Sequence, residues 1–151
     1  MTGQTFNNID ELQPYYDKDS DTYDLTSFDD IVLTFNLYTI SNIRAVNIDA
    51  RIIKANNIVA KDIIAGDMDV ADITAEKIYV GDIRCGNAVI KDLFLADNIC
   101  ASNIDAKEIS YHAFCFAYND IHCQTIEGRL YNSKHFTLHG IIDIDKYGYC
   151  D

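Results

Sequence analysis

The sequence has few basic residues, no tryptophan, a single proline and no long apolar run. Its 151 residues include 24 acidic and only 12 basic side chains, so the formal net charge is −12. Such a surface repels nucleic acid and membranes and attracts proteins with basic grooves. No stretch approaches the apolar length of a membrane span, and the N-terminus lacks the pattern of a signal peptide. We therefore expect a cytoplasmic protein that contacts neither nucleic acid nor membrane directly.

Motifs for metal binding and catalysis are also scarce. The five cysteines are an odd number without a paired motif, which indicates reduced thiols. A zinc site from His112, Cys115, His122 and Cys123 is conceivable, but strand parity sends His122 outward and Cys123 inward. The acids of residues 17–24 have the spacing of a calcium loop without its glycine and final glutamate.

No phosphate-binding glycine loop, nucleophile elbow or HExxH motif occurs in the chain. We therefore expect no metal, no cofactor and no enzymatic activity. The remaining enzyme alternative is an active site at one end of the fold described next.

A five-residue repeat runs from Ile43 to Leu95. A large apolar residue recurs every five positions, a smaller one follows two positions later, and Asn or Asp usually precedes the pair, as in NIDAR and DITAE. Period five fits neither a helix nor a coiled coil. The spacing of two puts both apolar side chains on one face of a strand, and Asn or Asp favours the corners. The repeat predicts stacked coils of short strands around an interior of Ile and Ala.

These repeats resemble the pentapeptide-repeat proteins, although the order of Asn/Asp, large and small residues is reversed in phase. The resemblance covers residues 38–128 and implies an all-β fold, a right-handed parallel β-helix with four units per coil. The C-terminal third, from HAFCFAYNDIHCQTIEGR through NSKHF, is also similar to uncharacterised repeat proteins of bacteria and their phages.

The rest of the chain is expected to close this β-helix. Residues 1–37 are predicted to form an acidic N-terminal cap or lid, with a short helix around Ile9–Tyr16 and a strand from residue 31. Residues 38–128 form the repeat domain, with one extra residue accommodated around Ala96–Asn98 by a bulge. Residues 129–151 are predicted to be C-terminal capping strands, because an open coil end exposes unpaired strand edges.

With four units per coil, residues twenty apart would stack. Corner Asn and Asp side chains would then form rows such as Asn42/Asp62/Asp82. The outward residues Val59 and Tyr79, with Phe94 beside them, would form an exposed apolar stripe, which is typical of an interface. The stripe is expected to be either a homodimer interface or a surface covered by the lid or the tail.

The acidity and the repeat together predict a non-enzymatic, DNA-mimicking inhibitor. The resemblance implies a gyrase-binding protein, and the phage-like context implies an anti-CRISPR or anti-restriction protein. The partner would be a nuclease or topoisomerase with a basic groove. Its binding is predicted to use six front acids and six coil acids, namely Asp17, Asp19, Asp21, Asp24, Asp29, Asp30, Asp49, Asp62, Asp67, Asp69, Asp72 and Asp82. The alternative is a structural or assembly module that dimerises through the Val59, Tyr79 and Phe94 face.

Overall fold

The chain forms a solenoid of parallel strands with about seven turns. The computed structural model describes residues 3–128 and the backbone of residues 141–144. The predicted all-β parallel β-helix is confirmed. Its right-handed winding stays a prediction from the resemblance.

Eleven strands and one 3₁₀ helix are described. They are β1 (Gln4–Phe6), the 3₁₀ helix (Ile9–Tyr15), β2 (Tyr16–Asp17), β3 (Thr22–Asp24), β4 (Asp30–Leu33), β5 (Leu37–Tyr38), β6 (Asn42–Arg44), β7 (Asn47–Val59), β8 (Asp62–Arg84), β9 (Asn87–Cys123), β10 (Thr125–Gly128) and β11 (Ile141–Ile144). The long strands β7, β8 and β9 turn the corners of the solenoid without a break. Strand β11 pairs in parallel with β9, and the rest of the predicted capping segment lies outside the described residues.

Each coil of the repeat region has three units, not four. Ile48 pairs with Ile63, and Ile53 pairs with Met68, so stacked residues are fifteen apart. The predicted stacking at twenty residues is therefore wrong. Three-sided and four-sided coils both send every fifth residue inward, so the apolar period alone does not fix the number of sides.

The coil has three faces, and the large residues of each face stack along one inner row. The rows are Ile43, Ile58, Ile73 and Ala88 on the first face, Ile31, Ile48, Ile63, Ile78 and Phe94 on the second, and Leu37, Ile53, Met68, Ile83 and Ile99 on the third. All of these side chains are buried. The predicted interior of Ile and small residues is thus confirmed.

One extra residue enters the coil earlier than predicted. Ala75 pairs with Ile90, but Lys77 pairs with Leu93, so the bulge lies at Lys91–Asp92 rather than at Ala96–Asn98. From this point the stacking distance is sixteen residues, and it reaches seventeen where Ile109 pairs with Ile126. Because side chains alternate along a strand, the extra residue exchanges the inward and outward positions of the next strand segment relative to an unbroken five-residue repeat.

The N-terminal end is closed by the chain itself. Strands β3, β4 and β5 pair in parallel with the first repeat coil, so they form a coil of their own below it. The 3₁₀ helix confirms the expected short helix, and the Asn8 side chain caps it by accepting from the Glu11 N–H at 3.2 Å. Its Leu12 side chain is fully buried among Tyr23, Leu25 and other residues of the lowest coils. The helix therefore places an apolar plug over the open end of the core.

Two glycines show how closely successive coils approach. A Cβ on Gly81 would lie against the carbonyl oxygen of Gly66, one coil below, so this corner has no space for a side chain. A Cβ on Gly128 would lie 2.6 Å from the Tyr111 hydroxyl oxygen. Tyr111 occupies an inward position that usually holds a small residue, and glycine one coil later leaves room for its ring.

Candidate functional site: the acidic end of the solenoid

The N-terminal end carries a dense group of carboxylates. Residues 1–40 contain eight acids and one lysine. Asp17 ends β2, the turn between β2 and β3 holds Asp19 and Asp21, Asp24 ends β3 and Asp30 begins β4. These positions lie around one end of the rod rather than along its length. We call this group the acidic end.

Hydrogen bonds hold several of these carboxylates in their charged form. Asp17 accepts from the Ser20 hydroxyl at 2.8 Å and from the Asp19 N–H at 3.0 Å, and both bonds lower its pKa, the Ser20 bond more. Asp24 accepts from the Thr26 hydroxyl at 2.6 Å and from the Thr26 N–H at 3.1 Å, and its pKa is lowered by the same donors. Donors to the charged form favour ionisation.

Asp21 joins the turn to the first repeat coil. The Ser41 hydroxyl and the Tyr16 hydroxyl both donate to its Oδ1, at 2.5 and 2.6 Å, and these two bonds lower the Asp21 pKa. The bond to Asp21 raises the Tyr16 pKa. Asp21 has a positive φ of 50°, a conformation that aspartate tolerates better than most residues. A lowered pKa means that any stability from this contact is present above the ordinary carboxyl pKa and is lost as the pH falls through the folded pKa.

The coil carboxylates of the predicted site serve mainly as corner residues. Asp67 Oδ1 accepts from the backbone N–H of Asp82 at 3.3 Å, and Asp72 Oδ1 accepts from the N–H of Asn87 at 2.9 Å. Each bond spans fifteen residues, so it links one coil to the next. The predicted row Asn42/Asp62/Asp82 is wrong, because residues twenty apart lie on different corners.

Asp49 and Asp69 are not stacked on each other either. Asp49 pairs with Ile64 on the second face, and Lys54 pairs with Asp69 on the third. Both aspartates are exposed at the middle of a strand. The structure therefore places the front acids at one end of the solenoid and distributes the coil acids along its faces and corners.

The corner before the second face contains two buried oxygens that lack a partner. Asn47 Nδ2 donates to Asp30 Oδ1 at 2.8 Å, but within the described residues Asn47 Oδ1 and Asp62 Oδ1 are buried and accept no hydrogen bond. The backbone N–H of Asp62 donates to the Val46 carbonyl oxygen instead. At other corners an asparagine amide donates to the side chain one coil below, as Asn98 does to Asp82 at 2.7 Å.

We expect Asp62→Asn to raise the free energy of unfolding by about 1 kcal/mol, because the new amide can donate to Asn47 Oδ1 as other corner asparagines do. Urea unfolding should show a higher midpoint with an unchanged m-value. Asp105→Asn, on an exposed position of the first face, removes the same charge and should change stability by less than about 0.5 kcal/mol. A lower midpoint for Asp62→Asn would contradict this view of the corner.

The predicted apolar stripe does not exist as one surface. Val59 is 47% exposed on the first face, and Tyr79 is 38% exposed on the second. Phe94 is fully buried, because the bulge at Lys91–Asp92 turns it inward. The proposed dimer interface of Val59, Tyr79 and Phe94 is therefore wrong.

The four candidate zinc ligands are divided between the two sides of the sheet. Cys115 and Cys123 are buried, whereas His112 and His122 are exposed. In the described part of the chain no group of three or more His, Cys, Asp and Glu side chains is placed to hold a metal ion. The same holds for the acids of residues 17–24.

The sequence did not predict a groove of about 490 Å³ on the third face. Tyr38 and Phe114 line it together with Lys54, Asp69 and Arg84. A stacking distance near fifteen would have placed Lys54, Asp69 and Arg84 in one row, but a distance of twenty does not.

None of the helices in the described part of the chain is long and apolar enough to cross a membrane. Comparison with protein-family models, with curated proteins and with solved structures found no match.

Proposed function

We propose that this protein is a non-enzymatic acidic binding protein whose acidic end occupies the basic nucleic-acid groove of a partner enzyme. The observation that carries this proposal is the concentration of carboxylates at one end of the solenoid. Only Lys18 and Arg44 are basic in residues 1–50. The partner is a nuclease or a topoisomerase, and the outcome of binding is inhibition by DNA mimicry.

The contacts of the acidic end support this role. The carboxylates of Asp17, Asp21 and Asp24 have lowered pKa values, so they stay charged below the ordinary carboxyl range. Their turn hydrogen bonds also fix their positions before a partner arrives, which reduces the ordering cost of association. A basic channel attracts such a surface electrostatically in the same way that it attracts the phosphates of nucleic acid.

The twelve predicted acids contribute unequally. Asp17, Asp19, Asp21, Asp24, Asp29 and Asp30 belong to the acidic end, and Asp49 lies one coil above Val32 on the second face. Asp62, Asp67, Asp72 and Asp82 are corner residues of the coil, and Asp69 lies on the third face. We therefore assign partner binding to the acids of the acidic end together with Asp49.

The resemblance stated above agrees with this proposal. Pentapeptide-repeat proteins that bind DNA gyrase are understood as DNA mimics, and the similarity to repeat proteins of bacteria and their phages favours an anti-CRISPR or anti-restriction role in the cytoplasm. The three-unit coil departs from the four-unit coil of that family. The proposal depends on the charged end and does not require membership of the family.

The test uses two variants with the same net charge. Asp17→Asn/Asp19→Asn/Asp24→Asn neutralises three carboxylates of the acidic end and keeps one acceptor oxygen at each position, although both oxygens of Asp17 accept hydrogen bonds in the unmodified protein. Asp105→Asn/Glu108→Gln/Asp120→Asn neutralises three exposed acids far along the rod. Each protein is titrated against a DNA gyrase, a restriction nuclease and a CRISPR nuclease, and supercoiling or cleavage is measured at several salt concentrations.

We expect the unmodified protein and the distal variant to inhibit one of these enzymes, and the acidic-end variant to bind about tenfold more weakly or worse. Because charge-driven binding is screened by salt, the affinity should fall steeply as the salt concentration rises. Inhibition by none of the three enzymes, or an affinity unchanged between low and high salt, would count against DNA mimicry.

A further inference from the structure

The third face carries charges of alternating sign in one row. Lys54, Asp69 and Arg84 are exposed at the middle of successive strand segments, about 4.8 Å from coil to coil. Within the described residues, the ion pair that forms joins Lys77 Nζ to Asp92 Oδ2 at 4.0 Å, on a corner away from this row. The three charges of the row thus point away from the face without pairing among themselves.

Aromatic side chains stand at both ends of this row. Tyr38, in the coil below Lys54, is 58% exposed. At the other end Phe116 points outward between the buried Cys115 and Ala117, and its ring contacts those of Phe114 and Tyr118, with centroids 6.1 and 5.0 Å away. The groove of about 490 Å³ lies between Tyr38 and Phe114.

We propose that the third face binds a second copy of this chain in an antiparallel arrangement, with the two-fold axis between the coils of Asp69 and Arg84. This inference goes beyond the proposed function and concerns a different surface. In this arrangement Asp69 of each copy faces Arg84 of the other. Tyr38 of each copy faces Phe116 of the other, so both ends of the row are closed by aromatic pairs.

The symmetry of the row favours a second copy as the occupant. The outward residues in order are Tyr38, Lys54, Asp69, Arg84 and Cys100, and a sixteen-residue spacing places Phe116 next in the row. Reversing this row about its centre pairs an acid with a base twice and an aromatic with an aromatic twice, while Lys54 faces Cys100. An interface in which the same patch serves both subunits is the usual form of a two-fold dimer. The groove gives the long side chains of Arg84 and Tyr38 room to enter the other copy.

Spacing also favours a second copy over an extended peptide. Two identical faces share the coil spacing of about 4.8 Å and stay in register along the whole row when they stack about 10 Å apart. An extended peptide along the rod repeats its side chains on one side about every 6.6 Å, so it loses register within two coils. The backbone of the face is already hydrogen-bonded between coils, and it offers no strand edge to a peptide.

A charge exchange tests this arrangement directly. Asp69→Arg alone places two arginines opposite each other, and Arg84→Asp alone places two aspartates opposite each other. The double variant Asp69→Arg/Arg84→Asp restores both pairs with their signs exchanged. Sedimentation velocity over a dilution series measures the dimer dissociation constant, and circular dichroism confirms that each variant retains its strand content.

We expect the unmodified protein to sediment as a dimer, each single variant to dissociate at least about tenfold more readily, and the double variant to recover most of the loss. Tyr79→Asp, on the second face, is the control and should leave the dimer intact. A protein that is monomeric at every concentration, a double variant no better than the single ones, or a dimer that only Tyr79→Asp disrupts would each overturn the proposal.

Discussion

Phe94→Ala is expected to lower the free energy of unfolding by about 3–5 kcal/mol, the range measured when a buried aromatic side chain is truncated. Phe94 is fully buried and is the largest side chain in the inner row of the second face. Its removal leaves a cavity next to Ile78, its partner one coil below, and the stacked coils limit collapse into that space. Urea unfolding followed by circular dichroism measures the loss.

Tyr79→Ala is the matched control for this prediction. Tyr79 is adjacent to the inward Ile78 on the same face, but its ring points outward and is 38% exposed. We expect its truncation to cost less than about 1 kcal/mol. If Tyr79→Ala were the more damaging of the two, the bulge at Lys91–Asp92 would be misplaced and Leu93 and Leu95 would face the core.

Leu12→Asp is expected to detach the 3₁₀ helix from the end of the solenoid. Leu12 has no exposed surface, and a carboxylate in its place would lie among Tyr23, Leu25 and Leu37 without a partner. An unpaired buried charge of this kind is too costly to retain, so we expect the helix to leave its site. Amide hydrogen exchange should then rise by orders of magnitude for the 3₁₀ helix and β1, while β8 stays protected.

An added charge at an exposed position of the same N-terminal coil provides the control. Ser27→Asp puts the same charge on an exposed turn of the N-terminal coil, and its exchange pattern should match that of the unmodified protein. The opened end of Leu12→Asp exposes apolar side chains and strand edges, so this variant should also associate as its concentration rises. Unchanged protection of the 3₁₀ helix in Leu12→Asp would show that Leu12 does not close the core.

The apolar period was sufficient to predict the strands and the inward residues. It could not predict the number of sides, since Ile48 and its successors point inward in either a three-sided or a four-sided coil. Site geometry depends on that number, because it decides which outward residues are neighbours. The predicted carboxylate rows failed for this reason, whereas the acidic end did not depend on the coil period.

The position of the bulge was ambiguous for a different reason. Leu93, Phe94, Leu95 and Ala96 are all apolar, so either pair could have faced the core. The size of the second residue distinguishes the two registers, since the inner position after the large residue holds Ala, Val or Cys in most coils and Ala96 fits it better than Leu95. The first coil was predicted only in its strand from residue 31, because β3, β4 and β5 stack on the repeat region without having the five-residue pattern themselves.

The widening of the solenoid restricts how its length can change. Coils repeat every fifteen residues between Asn47 and Ile90, but the later coils need sixteen and then seventeen. Insertion or loss of one fifteen-residue block in the lower half would join segments of equal circumference and keep every side chain on its own side. The same event above Lys91 would join segments of unequal circumference and shift all later residues around the rod. Duplication and deletion of units can therefore vary the distance between the acidic end and the bulge, while the upper part is inherited as one piece.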